Sequence, residues 1–247
     1  MALSPRQDVS EAVILCGGLG SRLRSVVTDR PKALANVLGR PFLEWLILML
    51  SQRHGIRRVI LATGYLGSQI QSHFGSDRWC GVALGYSHEE TPLGTGGALR
   101  LAAELATTSP MLVLNGDSYC RFDLSQLLEV HFDNRAVVTL WLGPSRGLTK
   151  NSYVPIDASG MVLDFDDEAR AGSTLASAGV YLVERVATEA IPPQEASSLE
   201  RDVFPSLVGK GLYAVAGDES FLDIGTPASL AAAEDVLAAE LSGLACD

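Results

Sequence analysis

Apolar residues in this chain come in short unbroken runs, each closed by glycine or by a polar turn. Glu11-Ala12-Val13-Ile14-Leu15-Cys16, Arg57-Arg58-Val59-Ile60-Leu61-Ala62, Val82 to Glu89, Met111-Leu112-Val113-Leu114 and Ala136 to Leu142 each read as a buried strand, short, apolar and bounded by turn residues. Helical stretches lie between them. Pro41 opens a segment apolar on most faces, Phe42 to Leu50, which His54-Gly55 closes. Leu66 to Phe74, the Ala- and Leu-rich run to Ala106, and Leu124 to Phe132 follow. Strand and helix in alternation predict an α/β fold, a mostly parallel sheet with helices on both faces. Further on, Leu175 to Val183 predicts a strand, and Val186 to Ile191 and Leu199 to Pro205 short helices. Leu212 to Ala216 and Phe221 to Ile224 read as a closing strand pair before an alanine-rich last helix.

The pattern changes between residues 143 and 174, which are rich in Gly, Ser and Asp. A hairpin is expected there, Tyr153-Val154-Pro155-Ile156 against Met161 to Phe165, turning at Asp157-Ala158-Ser159-Gly160. It reads as a small β-rich insertion within a single domain over residues 11–240. A mobile polar stretch over 1–10 and a tail over 241–247 flank that domain. At 247 residues the chain can bury one substantial core.

Composition narrows the function classes. With 47% hydrophobic residues and no low-complexity run the chain is not disordered, and no stretch approaches the roughly 20 apolar residues of a membrane span. A soluble cytoplasmic protein without a membrane partner is expected. The net charge of -10 disfavours a nucleic-acid surface, so local cations serve a small anion instead. Cys16, Cys80, Cys120 and Cys246 form no CxxC pair, which argues against structural zinc and against a disulfide framework, and reduced thiols are expected.

Candidate chemistry begins at Cys16-Gly17-Gly18-Leu19-Gly20-Ser21-Arg22-Leu23, with Pro31-Lys32 downstream. Glycines after a strand turn the chain sharply and expose N–H groups; Arg22 adds a charged fork and Lys32 a mobile ammonium, so one bend gathers donors suited to a polyphosphate. The P-loop pattern fails, because no lysine follows the glycines directly. The dinucleotide fingerprint fails too: Leu23 stands where its third glycine belongs, and Thr63-Gly64 where its acidic residue would close the second strand. A second glycine segment, Thr91-Pro92-Leu93-Gly94-Thr95-Gly96-Gly97-Ala98, opens the helix to Ala106. Its N–H groups and the Thr95 hydroxyl can read a base or ribose, or merely cap a closely packed helix. Asp117, in Asn115-Gly116-Asp117-Ser118, falls just beyond a strand, where open α/β sheets collect ligands. Asp223 sits between Leu222 and Ile224, where a lone charge is costly. Either aspartate can hold a hard cation or cap a turn.

Gly-Gly-Leu-Gly-Ser-Arg-Leu with Pro-Lys downstream resembles the signature of the sugar-1-phosphate nucleotidyltransferases, and the motif order from Glu11 to about Leu237 follows that family. Gly39-Arg40-Pro41-Phe42-Leu43-Glu44 and Thr91 to Ala98 are most similar to the branch of the D-glycero-D-manno-heptose 1-phosphate guanylyltransferases. The resemblance implies a Rossmann-like sheet of the nucleotide-diphospho-sugar transferase type, with the insertion on the acceptor side. It further implies transfer of a nucleoside monophosphate, GMP favoured, from the triphosphate (GTP) to a sugar 1-phosphate, with release of pyrophosphate and use of Mg2+. Arg22 and Lys32 are then the catalytic cations, on the pyrophosphate and on the phosphates between donor and acceptor. Leu15, Gly17, Gly18, Leu19, Gly20, Ser21, Gly94, Thr95 and Asn115 bind the nucleotide, and Asp117 and Asp223, the latter in Phe221-Leu222-Asp223-Ile224-Gly225-Thr226-Pro227, hold the metal. Relatives often carry a lysine after an acidic pair in the hairpin and an asparagine before the glycine of the next strand. This chain has Glu168 after Asp166-Asp167, then Arg170, and Ser177-Ala178-Gly179. Arg170, Ser177, Gly179 and Glu200 are the acceptor-side candidates, with Asp202 beside them.

The attacking phosphate is already an anion, so this chemistry needs no general base or covalent nucleophile, in keeping with a chain that has no recognisable Ser-His-Asp or Cys-His constellation. Three alternatives remain: transfer to another hexose or cyclitol 1-phosphate, a non-catalytic nucleotide sensor, and a dinucleotide-dependent oxidoreductase. The apolar helix and closing strands can support a homodimer.

Overall fold

The computed structural model of the chain describes residues 9–18, 20–23, 27, 29–144, 154–165, 174–218 and 221–246. The strands are β1 (Glu11–Leu15), β2 (Asn36–Val37), β3 (Arg40–Pro41), β4 (Arg58–Thr63), β5 (Arg78–Trp79), β6 (Val82–His88), β7 (Met111–Asn115), β8 (Ser118–Cys120), β9 (Val138–Pro144), β10 (Leu175–Val183), β11 (Leu212–Ala216) and β12 (Phe221–Asp223). The α-helices are α1 (Phe42–His54), α2 (Gly67–Phe74), α3 (Gly94–Ala103), α4 (Leu124–Asp133), α5 (Arg185–Glu189), α6 (Phe204–Leu207) and α7 (Pro227–Leu241).

Eight strands make one sheet in the order β11-β9-β10-β7-β1-β4-β6-β5. β7, β1, β4 and β6 run parallel, as do β9 and β11; β10 opposes both β7 and β9, and β5 opposes β6. The sheet is therefore mostly parallel, as the alternating pattern predicts. Because side chains alternate across a strand, each central strand feeds two cores. Ala12 and Ile14, Val59 and Leu61, and Leu112 and Leu114 pack with α1 on one face. Val13, Ile60 and Ala62, and Met111 and Val113 pack with Leu99 and Ala102 of α3 on the other. α1 buries Phe42, Leu43 and every residue from Trp45 to Leu50, which explains why it is apolar nearly all round.

Several expectations change. β12 does not pair with β11: β11 joins β9, and β12 lies antiparallel to β8, with Asp223 opposite Ser118. The two segments are neighbours in sequence, but the open edge that Phe221–Asp223 meets is the extension beyond β7, and the Ile224 N–H donates to the Asp117 carbonyl. The last turn of the expected mobile N-terminus is fixed as well. Val9 is buried, and the Ser10 carbonyl accepts from Arg57 and Arg58 N–H; residues 1–8 lie outside the described residues. The segment Leu199–Val203 is a wide π-turn that leads into α6 through Pro205, rather than a helix stopped by it. Of the hairpin, Ile156 bridges Val162 and Met161 bridges Tyr213, so this part of the insertion leans on β11. Cys16 and Cys120 are free and buried, but Cys80 and Cys246 form a disulfide, with Cα atoms 5.1 Å apart. A separation of 166 residues carries no spacing signal, so only the fold brings these two together.

Candidate active site

The carboxyl ends of β7, β1, β4 and β6 release the chain along one rim of the sheet, and the exits of β1, β6 and β7 supply most of a cleft of about 410 Å3. From β1 come Leu15, Gly17, Gly18 and Gly20, followed by Arg22 in a 3-10 turn and Lys32 in another. β7 supplies Asn115, Gly116 and Asp117; the segment after β6 supplies Glu89, Pro92, Gly94, Thr95 and Ala98. β1 and β7 meet closely because Gly116 has no side chain: a Cβ there would lie 2.7 Å from the Leu15 carbonyl oxygen. Gly18 has nothing within 4 Å of a built Cβ and presents open space to a ligand.

At one end of the cleft Lys32 lies between two carboxylates. Its Nζ is 2.5 Å from Asp117 Oδ2 and 3.4 Å from Asp223 Oδ1, and its side chain is only 12% exposed. The β8–β12 ladder brings these residues, 106 positions apart, to one point, because Asp223 faces Ser118, the neighbour of Asp117. Gly225 completes the fit: a Cβ there would stand 3.0 Å from Lys32 Nζ and 2.6 Å from Asp223 Oδ1. Burial, and then the charge of Asp117, push the Asp223 carboxyl above its ordinary range, while Lys32, the Gly225 N–H and Arg22 pull it partly back. Two carboxylates that repel one another and share one ammonium form a place where a cation is favoured. Among the described residues no group of three or more His, Cys, Asp or Glu could hold a metal by itself. A divalent ion there would depend on phosphate oxygens and water to complete its shell.

Behind Asn115 runs a hydrogen-bonded chain. Asn115 Nδ2 donates to the Tyr181 hydroxyl (3.2 Å), which donates to Glu200 Oε1 (3.2 Å); the Thr95 hydroxyl donates to Glu200 Oε2 (3.0 Å) and accepts from Leu199 N–H (2.8 Å). Tyr181 is fully buried, and desolvation with the neighbouring Glu200 charge raises its hydroxyl well above the usual range, so it stays neutral. Asn115 Oδ1 is buried without a partner among the described residues, whereas Ser177 stands beside the Tyr181 hydroxyl, away from the cleft lining. Gly179, at φ +75°, lies against the Asn115 side chain, 3.1 Å from Nδ2 to a built Cβ.

This network occupies several of the groups that the sequence singles out. The Thr95 hydroxyl and the N–H groups of Gly96 and Gly97, which donate to the Ser197 carbonyl, hold α3 to residues 197–200, while Thr95 also lines the cleft. Glu200 is engaged by Thr95, Ser198 and Tyr181. Asp202 turns away to accept from Ser198 N–H and lines a different groove. Leu19, Arg170 and the stretch 166–168 lie outside the described residues, as does the Ser21 side chain. Glu89, Ala98 and Gly225 stand at the end of a predicted strand or within the quoted motifs without an assigned role, and Tyr181 lies within a predicted strand; the sequence reading assigns none of the four to the site. Glu89 had a findable signal, since it follows β6 directly, as Asp117 follows shortly after β7. Cys16 lines the cleft, yet burial and the Glu89 charge raise its thiol to about 12, which leaves no thiolate to act as nucleophile.

A glycine-rich turn after β1, two cations beside it and paired aspartates at the ends of β7 and β12 define a nucleotide-handling α/β protein. Residues 11–240 match the Nucleotidyl transferase family, and the chain belongs to that family. It is 36% identical to the D-glycero-alpha-D-manno-heptose 1-phosphate guanylyltransferase of Aneurinibacillus thermoaerophilus over 88% of this chain and 94% of that protein. It is 36% identical to the Mannose-1-phosphate guanylyltransferase of Mycobacterium tuberculosis over 88% of this chain, but spans 61% of that longer protein. The crystal structure of HddC from Yersinia pseudotuberculosis complexed with GMP-PN superposes with a TM-score of 0.77 at 28% identity, covering 92% of this chain and 98% of that one. No helix among the described residues is long and apolar enough to cross a membrane.

Proposed function

We propose that this protein transfers GMP from GTP to a heptose 1-phosphate, giving a GDP-sugar and pyrophosphate, and that residues 11–240 act as one unit in doing so. The carrying observation is the Asp117–Lys32–Asp223 cluster beside the glycine turn. The heptose 1-phosphate and mannose-1-phosphate guanylyltransferases among the relatives support the choice of base and acceptor class.

In this reading a phosphate oxygen of the sugar 1-phosphate attacks the α-phosphorus of GTP, the bond from that phosphorus to the bridging oxygen breaks, and pyrophosphate leaves with the electron pair. No proton has to be removed from the nucleophile. The chain's work is alignment and neutralisation of charge. The backbone from Gly18 to Ser21 cradles the triphosphate, Arg22 draws on the departing pyrophosphate, and Lys32 holds the phosphates that are exchanging partners. Asp117 and Asp223 would hold Mg2+, which when bound neutralises charge on the reacting phosphates. Asn115 Oδ1, buried and unpartnered among the described residues at the cleft wall, is suited to a ligand hydroxyl.

The test is pyrophosphate release measured for four nucleoside triphosphates crossed with heptose, mannose and glucose 1-phosphates. The expected outcome is fastest release from GTP with a heptose 1-phosphate. Pyrophosphate from none of the twelve pairings would sink the transferase reading, and preference for another base or sugar would redirect it.

A further inference from the structure

The last helix bears on two members of the charged cluster at once. α7 follows Asp223-Ile224-Gly225-Thr226 directly, so its first turn sets where the Asp223 loop ends. It also reaches the Lys32 segment. The turn that carries Lys32 runs into β2, and in the bend after β2 the Leu38 N–H donates to Glu234 Oε1 of α7 at 3.1 Å. Ala233, Leu237 and Leu241 of α7 share one core with Leu34 and Val37. A shift of α7 is therefore transmitted along the chain to Asp223 and through β2 to Lys32.

α7 has little hold of its own. Of its 15 residues only Ala233, Leu237 and Leu241 are buried, and few buried contacts mean easy local opening. Its last turn has no basic residue, and the carbonyls there are met from α1 instead. Arg53 donates to the Glu240 carbonyl and lies 3.6 Å from Glu240 Oε2, and Gln52 donates to the Ala245 carbonyl. Beyond these contacts the Cys80–Cys246 bridge fastens the end of the chain to the turn between β5 and β6, at the outermost strand of the sheet. Of the four cysteines, this pair is the one that a solvent-borne thiol can reach: Cys246 is exposed and Cys80 half-buried, whereas Cys16 and Cys120 are buried.

We propose that the Cys80–Cys246 bridge is a redox-operated strap on α7. Oxidised, it holds the helix down and keeps Asp223 and Lys32 placed for the nucleotide; reduced by a dithiol, it frees the end of α7 and lowers the affinity for GTP. One thiolate of the dithiol attacks Cys246 Sγ, the S–S bond breaks, and Cys80 leaves as a thiolate that takes up a proton. The second thiolate then attacks the mixed disulfide and releases Cys246. The electron pair passes to the protein, whose disulfide becomes two thiols while the dithiol becomes a disulfide. The effect on GTP rests on the transferase reading above; the link from α7 to Asp223 does not.

The experiment compares the whole protein, oxidised and after reduction by dithiothreitol, using native-state hydrogen exchange and calorimetric titration with GTP in Mg2+. Reduction should speed exchange at least about tenfold through α7 and the 223–226 turn, while β1, β4 and β7 keep their protection. The Kd for GTP should rise roughly three- to tenfold as the competent population falls. Reoxidation should restore both. Cys246→Ser and Cys80→Ser should each match the reduced protein and ignore dithiothreitol; should either fail to fold, the reduced wild type decides, since it carries no substitution. Exchange that quickens over 242–246 alone, with Kd unchanged, overturns the proposal and leaves the bridge a staple. A native protein whose four cysteines are all thiols overturns it as well. Absence of GTP binding in both states overturns the transferase reading alone, because exchange at 223–226 still decides whether the strap reaches the site.

Discussion

Lys32 stands 2.5 Å from Asp117 and 3.4 Å from Asp223, and the balance among these three charges is the local basis of the proposed chemistry. Asp223 is the sensitive member. Its carboxyl is raised by burial and by Asp117, so replacing it with a neutral isostere removes a repulsion and should cost little stability. In the proposed reaction the same change removes one of two carboxylates assigned to the reacting phosphates, and losing one contact to developing charge costs on the order of 3 kcal/mol, about a hundredfold in rate. Asp223→Asn is therefore expected to melt within a few degrees of the wild type yet lose about 99% of kcat/KM; full turnover at saturating Mg2+ would rule out a ligand role. Gly225 imposes a second condition at this scale, since any side chain there enters the space of Lys32 Nζ and Asp223 Oδ1.

Elements carry these residues to one place, and their ends matter more than their middles. α7 starts directly after Asp223-Ile224-Gly225, and its first turn is closed by a capping box: Thr226 Oγ1 accepts from Ser229 N–H at 3.1 Å while Ser229 Oγ accepts from Thr226 N–H at 3.0 Å. Thr226→Ala removes one half of that pair, and such caps contribute about 1 kcal/mol. Urea denaturation should show a loss of that size, and because the cap borders the Asp223 loop, KM for the nucleotide should rise as well; a stability loss with unaltered KM would confine the cap to a structural role. At the other side of the cleft, α3 is held by Ser197, Leu199 and Glu200 rather than by a cap of its own. That arrangement links Thr95 to Tyr181 through Glu200 and so couples this wall of the cleft to β10.

Across the whole molecule two features bind distant parts of the chain. The Cys80–Cys246 bridge ties the end of the chain to the turn between β5 and β6, while Cys16 and Cys120 stay buried as thiols. Alkylation should accordingly label no cysteine in the native oxidised protein, two after denaturation, and all four after reduction; four labelled without reductant would exclude the bridge. His54, stacked on Phe122 at 4.1 Å and bordered by Arg53 and Asp123, is lowered to about 4, chiefly by burial. A base whose folded value lies below its unfolded one near 6.5 contributes stability that is complete above that value and is lost as pH falls from there through about 4. His54→Phe keeps the ring and removes the titration, so its urea midpoint should fall less than that of the wild type between pH 7 and pH 4.5; parallel declines would assign the acid sensitivity to other groups. The sequence by itself determined the alternating α/β order, the positions of the eight strands it predicts, though not of the short β2, β3, β5 and β8, the glycine turn with Arg22 and Lys32, and the two aspartates, because each is written in local patterns of polarity, turn residues and motif spacing. Tertiary structure alone decided that β12 pairs with β8 and not with β11, that Cys80 meets Cys246, that Thr95 and Glu200 bind each other, and that Glu89 is pressed against Gly17 and Gly64. These are contacts between segments far apart in the chain, and their partners are selected by which edges, carbonyls and charges the packed sheet leaves open, a quantity no local window contains.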